Sequence, residues 1–146
     1  MKEMFIGAFA FNQPISSWTT SSVTDMGSMF HTASAFNQPI GAWNIALVTT
    51  LFQAFSEASS FNQPLGSWNT SSVTSMMWTF RNAQEFNQPS GPVYTSSATD
   101  TSIVLDMSSM YNQPIGQWDA AGVTDMNFMN FDAQGYDQPT GSGTPR

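Results

Sequence analysis

FNQPLGSWNTSSVTSMMWTFRNAQE, residues 61–85, decides how this chain folds, because the rest of the chain repeats it. FNQP starts at Phe11, Phe36, Phe61 and Phe86, then returns as YNQP at Tyr111 and YDQP at Tyr136, each start 25 residues after the last. Trp18, Trp43, Trp68 and Trp118 keep the same beat, with Val93 in the fourth place, and so do Thr24, Thr49, Thr74, Thr99 and Thr124. Phe30, Phe55 and Phe80 form a further column, followed by Ala33, Ala58 and Ala83. Units of fixed period cannot bury their apolar sides alone and do so by stacking on their neighbours. The chain therefore reads as a single repeat domain over 1–146, with partial repeats at 1–10 and 136–146 flanking repeats 11–35, 36–60, 61–85, 86–110 and 111–135. The opening MKEMFIGAFAF places Lys2 before a short apolar run, as a secretory signal would. Met4-Phe5 matches Met29-Phe30, however, and Ala8 matches Ala33. The run is thus the tail of a repeat, and no signal peptide is expected within this chain.

Within a unit, Asp25, Thr50, Ser75, Asp100 and Asp125 are all residues that cap helix N-termini. After the first of them, Met26, Met29, Phe30 and Ala33 are apolar at spacings of three and four, which predicts one face of a short helix. FNQPI predicts a short strand, with Phe and Ile alternating against Asn and Pro. By that alternation Gln13, Gln38, Gln63, Gln88, Gln113 and Gln138 turn inward as an amide ladder, while Asn12, Asn37, Asn62, Asn87 and Asn112 turn outward. The expected fold class is an α/β solenoid, a right-handed coil stack in which each 25-residue repeat supplies one short parallel strand, a loop and a short helix. Repeat 86–110 breaks the pattern at Ser90, Val93, Ala98 and Thr101, and VLDMSSM at 104–110 resembles VTDMGSM displaced C-terminally. An irregular coil is expected around 90–105.

FNQPISSWTTSSVTDMGSMF at 11–30 and FNQPLGSWNTSSVTSMMWTF at 61–80 resemble the BspA-like leucine-rich-repeat surface proteins, in their 25-residue, Trp-containing variant. The resemblance covers essentially the whole chain. It implies a leucine-rich-repeat-like coil stack, a cell-surface or extracellular location, adhesion or partner binding, and no catalytic residues. Members of that family more often carry Asp where Pro14, Pro39 and their equivalents stand here.

Composition narrows the functional classes. Charged residues make up 9% of the chain and the net charge is −7, with only Lys2, Arg81 and Arg146 basic. Three scattered cations cannot neutralise a run of phosphates, so nucleic acid is not an expected partner. No stretch approaches the roughly 20 apolar residues of a membrane helix, so direct membrane insertion is not expected either. There is no cysteine, hence no disulfide or thiolate metal site. His31 is the sole histidine, and a satisfied or solvated role suits it better than catalysis. The aspartates of the capping column lack the dense oxygen ligands that calcium needs. No enzyme activity, cofactor or metal is expected, and the Trp column is read as core rather than as a sugar-stacking platform.

What remains is the outward strip of Asn12, Asn37, Asn62, Asn87 and Asn112, alternating with proline, as the candidate interaction face. The leading expectation is a non-enzymatic surface or secreted module that binds a protein or glycan there through many weak, repeated contacts. A second is structural: copies stacking end to end, or a fragment of a longer structural protein, because Met1 aligns with Met26 in the middle of the expected helix and no caps are evident. A third, more remote, is binding to ice or another crystal surface through the regular Thr or Asn columns.

Overall fold

The computed structural model describes residues 1–89, 100–115 and 123–138. Among the described residues the 25-residue period is real in space: equivalent residues of successive repeats lie over one another, one rung per repeat. Asp25, Thr50, Ser75, Asp100 and Asp125 are joined in series by isolated parallel bridges. The expected α/β architecture is not what the chain forms. Among the described residues there is no helix, and strand pairing is confined to those single bridges.

The helix fails for a definite reason. Two residues four apart in each rung have a left-handed backbone: Ser28 and Thr32 (φ 53° and 59°), Gln53 and Glu57 (54° and 61°), Trp78 and Asn82 (60° and 54°). A right-handed helix admits no such residue. The N–H groups between them divide their work instead. Met29 donates to Met26 O, His31 to Ser28 O and Ala33 to Phe30 O, which closes successive tight turns. The alternate donors reach the next rung, Met26 to Thr50 O (3.2 Å), Ser28 to Phe52 O (2.8 Å), Phe30 to Ala54 O (2.9 Å) and Thr32 to Ser56 O (2.8 Å). The segment expected to be a helix therefore carries the inter-rung ladder. The capping residues do cap, but a turn: Asp25 Oδ1 accepts from Gly27 N, Asp100 Oδ1 from Ser102 N and Asp125 Oδ1 from Asn127 N.

The apolar positions are nonetheless the ones the sequence marks. Met26, Met29, Phe30 and Ala33 are fully buried, as are Ala54, Phe55 and Ala58. Two aromatic columns run through the interior. Phe5, Phe30, Phe55 and Phe80 stack at 5.5, 5.5 and 5.4 Å. Phe11, Phe36, Phe61, Phe86, Tyr111 and Tyr136 stack at 5.8–6.2 Å. The columns also meet each other, Phe30 with Phe36 at 3.9 Å and Phe80 with Phe86 at 4.1 Å. Such pairs contribute about 0.5–1.5 kcal/mol each beyond their burial. Trp43 and Trp68 are core, their Nε1 donating to Ile15 O and Ile40 O, one rung back. Trp18, in the first full repeat, is 38% exposed, and Trp118 lies outside the described residues.

Gly41 stands where the expected strand ends, and its role is steric. A Cβ there would sit 2.7 Å from Pro64 O of the next rung. Of the expected irregular segment, 90–99 lies outside the described residues. Residues 100–110 keep the 25-residue register: Phe80 N bonds Val104 O, and Leu105 N bonds Met129 O, as Phe30 and Phe55 do in their rungs. VLDMSSM thus occupies the rung positions of Met29 to Ala35, six beyond those of VTDMGSM, without disturbing the register.

Candidate interaction face

FNQP was expected as a strand, and proline already limits that, since it supplies no N–H. The structure replaces the backbone ladder with a side-chain one. Asn37 N donates to Asn12 Oδ1 (2.9 Å), Asn62 N to Asn37 Oδ1 (3.0 Å), Asn87 N to Asn62 Oδ1 (3.0 Å) and Asn112 N to Asn87 Oδ1 (2.9 Å). Asp137 N closes the series on Asn112 Oδ1 at 3.0 Å. Each of these oxygens takes a second donor, the Nε2 of the glutamine in the following rung: Gln38, Gln63, Gln88, Gln113 and Gln138, at 2.9–3.1 Å. Gln38 and Gln63 also reach the Asn12 and Asn37 carbonyls.

The glutamines are therefore not the inward ladder the alternation predicts. Gln13 is exposed and the other five are half-buried, on the same face as the asparagines. The period-two rule holds for extended backbone, and the Asn side chain, standing in for a backbone acceptor, holds this segment out of a regular strand. Asn12 is exposed, and Asn37, Asn62, Asn87 and Asn112 are half-buried, with Pro14, Pro39, Pro64, Pro89 and Pro114 exposed beside them.

With Oδ1 committed to the fold, the asparagine Nδ2 and the glutamine Oε1 of this face have no partner among the described residues. Each of the five rungs from Asn12 to Asn112 thus offers an amide donor, an amide acceptor and a proline ring, repeated at the rung spacing. Proline and glutamine belong to the face as much as asparagine does; sequence reasoning assigned the glutamines elsewhere. Their proximity was signalled only by their invariable adjacency in FNQP.

Other groups are occupied. His31 Nδ1 lies 3.1 Å from Ser56 O, and Thr49 and Thr74 donate through both N–H and Oγ1 to the threonine carbonyl one rung back. Thr99 lies outside the described residues. Arg81 pairs with the buried carboxylate of Asp106 at 3.2 Å and with Glu57 at 3.6 Å. Among the described residues no group of His, Cys, Asp and Glu is placed to hold a metal ion, and no helix is long and apolar enough to cross a membrane. An apolar cavity of about 30 Å³ lies between Leu51, Leu65, Trp68 and Phe86, with room for little more than a water molecule.

The chain belongs to the family described as Mycoplasma protein of unknown function, DUF285, whose model matches residues 1–93 and 89–143. No curated protein and no solved structure matches it.

Proposed function

We propose that this chain is a non-enzymatic binding module that engages a protein or glycan along its FNQP face, at a cell surface or outside the cell. The observation that supports it most is the row of outward Asn Nδ2 and Gln Oε1 groups flanked by exposed prolines. Donor and acceptor side by side suit sugar hydroxyls or peptide amides, and the proline rings offer rigid apolar contact at little entropic cost. One such contact is weak; several in register along one rigid face add as avidity. The finer resemblance, to BspA-like surface proteins through FNQPLGSWNTSSVTSMMWTF, favours the same reading and supplies the surface location.

The test must remove the outward donor and leave the ladder whole. Asn37→Asp with Asn87→Asp keeps an acceptor oxygen for the next rung and deletes Nδ2, and alternate rungs keep the new charges apart. Arrayed neutral polysaccharides and extracellular matrix proteins provide the probes. Capture by the native chain, weakened about thirtyfold in the double variant with folding intact, is the expected result; one lost hydrogen bond of about 1 kcal/mol at each of the two sites gives that scale. Capture that the double variant leaves unchanged, or no capture at all, overturns the reading.

A further inference from the structure

We propose that Asn69 is an acceptor for an N-linked glycan, and that the folded chain presents it in a form ready for transfer. Asn69-Thr70-Ser71 is the one place in the sequence where an asparagine has a hydroxyl residue two positions on, with no proline between. Oligosaccharyl transfer reads that pattern, the amide supplying the nucleophile and the hydroxyl holding the acceptor in place. The fold turns both halves of it outward. Trp68 and Thr70 are buried and alternate with the exposed Asn69 and Ser71. The buried pair pins the loop: Trp68 N bonds Leu65 O, its Nε1 reaches Ile40 O one rung back, and Val73 N bonds Thr70 O. Asn69 Oδ1 accepts from Ser71 N at 3.1 Å. This side-chain turn brings residues 69 and 71 together and leaves Nδ2 without a partner among the described residues. A glycan is bulky and hydrated, and at Asn69 it hangs from an exposed loop position, clear of the aromatic core.

The preceding rung separates what the fold needs from what it does not. Asn44 holds the equivalent position, is also exposed, and closes the same turn, its Oδ1 accepting from Ala46 N at 3.1 Å. Ala46 has no hydroxyl, so the turn requires the asparagine and not a serine two residues on. Ser71 Oγ accordingly makes no hydrogen bond with the described residues. The turn explains Asn69; the Ser71 hydroxyl is left for an enzyme to read. In the transfer, Nδ2 attacks the anomeric carbon of an oligosaccharyl pyrophosphate lipid. The C–N bond forms as the C–O bond to the pyrophosphate breaks. The lipid pyrophosphate leaves with the bonding pair, and the proton lost from Nδ2 passes to a carboxylate of the transferase. Such transfer takes place outside the cytoplasm, so its occurrence in the cell rests on the location in the binding reading above, whereas the competence of Asn69 does not.

The test incubates the purified, folded chain with a single-subunit oligosaccharyltransferase that reads Asn-x-Ser/Thr and with its lipid-linked oligosaccharide. Intact mass and peptide mapping follow. Neither a cell nor a binding partner is involved, so failure here is distinct from failure of capture at the FNQP face. One glycan per chain, at Asn69, is expected. Ser71→Ala loses it completely and still folds, because Ala46 fills that place one rung back; Ser71→Thr retains it. Ala46→Ser completes the pattern at Asn44 and adds a second glycan. No transfer to the native chain, transfer only after denaturation, or a Ser71→Ala chain still modified at Asn69 overturns the proposal.

Discussion

At Met107 the backbone turns left-handed, with φ at 55°, while the side chain is 39% exposed and the N–H bonds Phe131 O. A non-glycine residue there costs roughly 1 kcal/mol or more in local conformational energy. The rung accepts that cost twice, and the inter-rung hydrogen bonds and aromatic stacking offset it. Met107→Gly therefore stabilises the fold, by up to about 1 kcal/mol after the unfolded chain's added freedom is subtracted. In a helix the same substitution would cost about 1 kcal/mol, so the sign of the shift in urea midpoint discriminates between the two. This is also why the helix looked right in the sequence. Left-handed positions are recognised by Gly or Asn, and the column here reads Glu3, Ser28, Gln53, Trp78, Ile103 and Phe128. Only Gly7, Asn82 and Asp132 in the second column gave any hint. Successive tight turns bury side chains at spacings of three and four, as a helix does, so Met26, Met29, Phe30 and Ala33 were legible as core while their backbone was not.

The FNQP element shows a different gap between sequence and structure. Its strictness was plain, and Asn and Pro were rightly kept out of the aromatic core. What the residues alone did not reveal is that one atom, Asn Oδ1, would take the place of a backbone carbonyl and draw the glutamine to its own face. Asn62→Ala strips acceptors from both Asn87 N and Gln88 Nε2 and lowers stability by about 2 kcal/mol; Asn62→Asp, which retains an acceptor, costs less than half of that. Gln63→Glu sets a carboxylate against Asn37 O and Oδ1, with a loss of about 2 kcal/mol at neutral pH. That loss arises from opposed acceptors rather than from burying a charge. It shrinks as the pH falls from neutral and is gone below about 4, because the opposed acceptors favour the protonated carboxyl in the folded state and that carboxyl regains a donor. Denaturant midpoints at two pH values check all three variants.

For the molecule as a whole, the 25-residue period was the most secure feature of the sequence, and stacking of equivalent residues follows from it directly. The interior is ordered by type, with two columns of rings, a hydrogen-bonded backbone ladder on one side and an amide ladder on another. Each rung needs its neighbours. The central claim is that the segment between the bridge residue and the FNQP face sends its alternate N–H groups to the next rung instead of along itself. Scalar couplings across hydrogen bonds, measured by NMR on the isotopically labelled chain, read this directly. The account predicts couplings from the amide nitrogens of Ser28, Phe30 and Thr32 to the carbonyl carbons of Phe52, Ala54 and Ser56. Couplings from Phe30 to Met26 and from Ser34 to Phe30, the four-residue spacing of an α-helix, would contradict it.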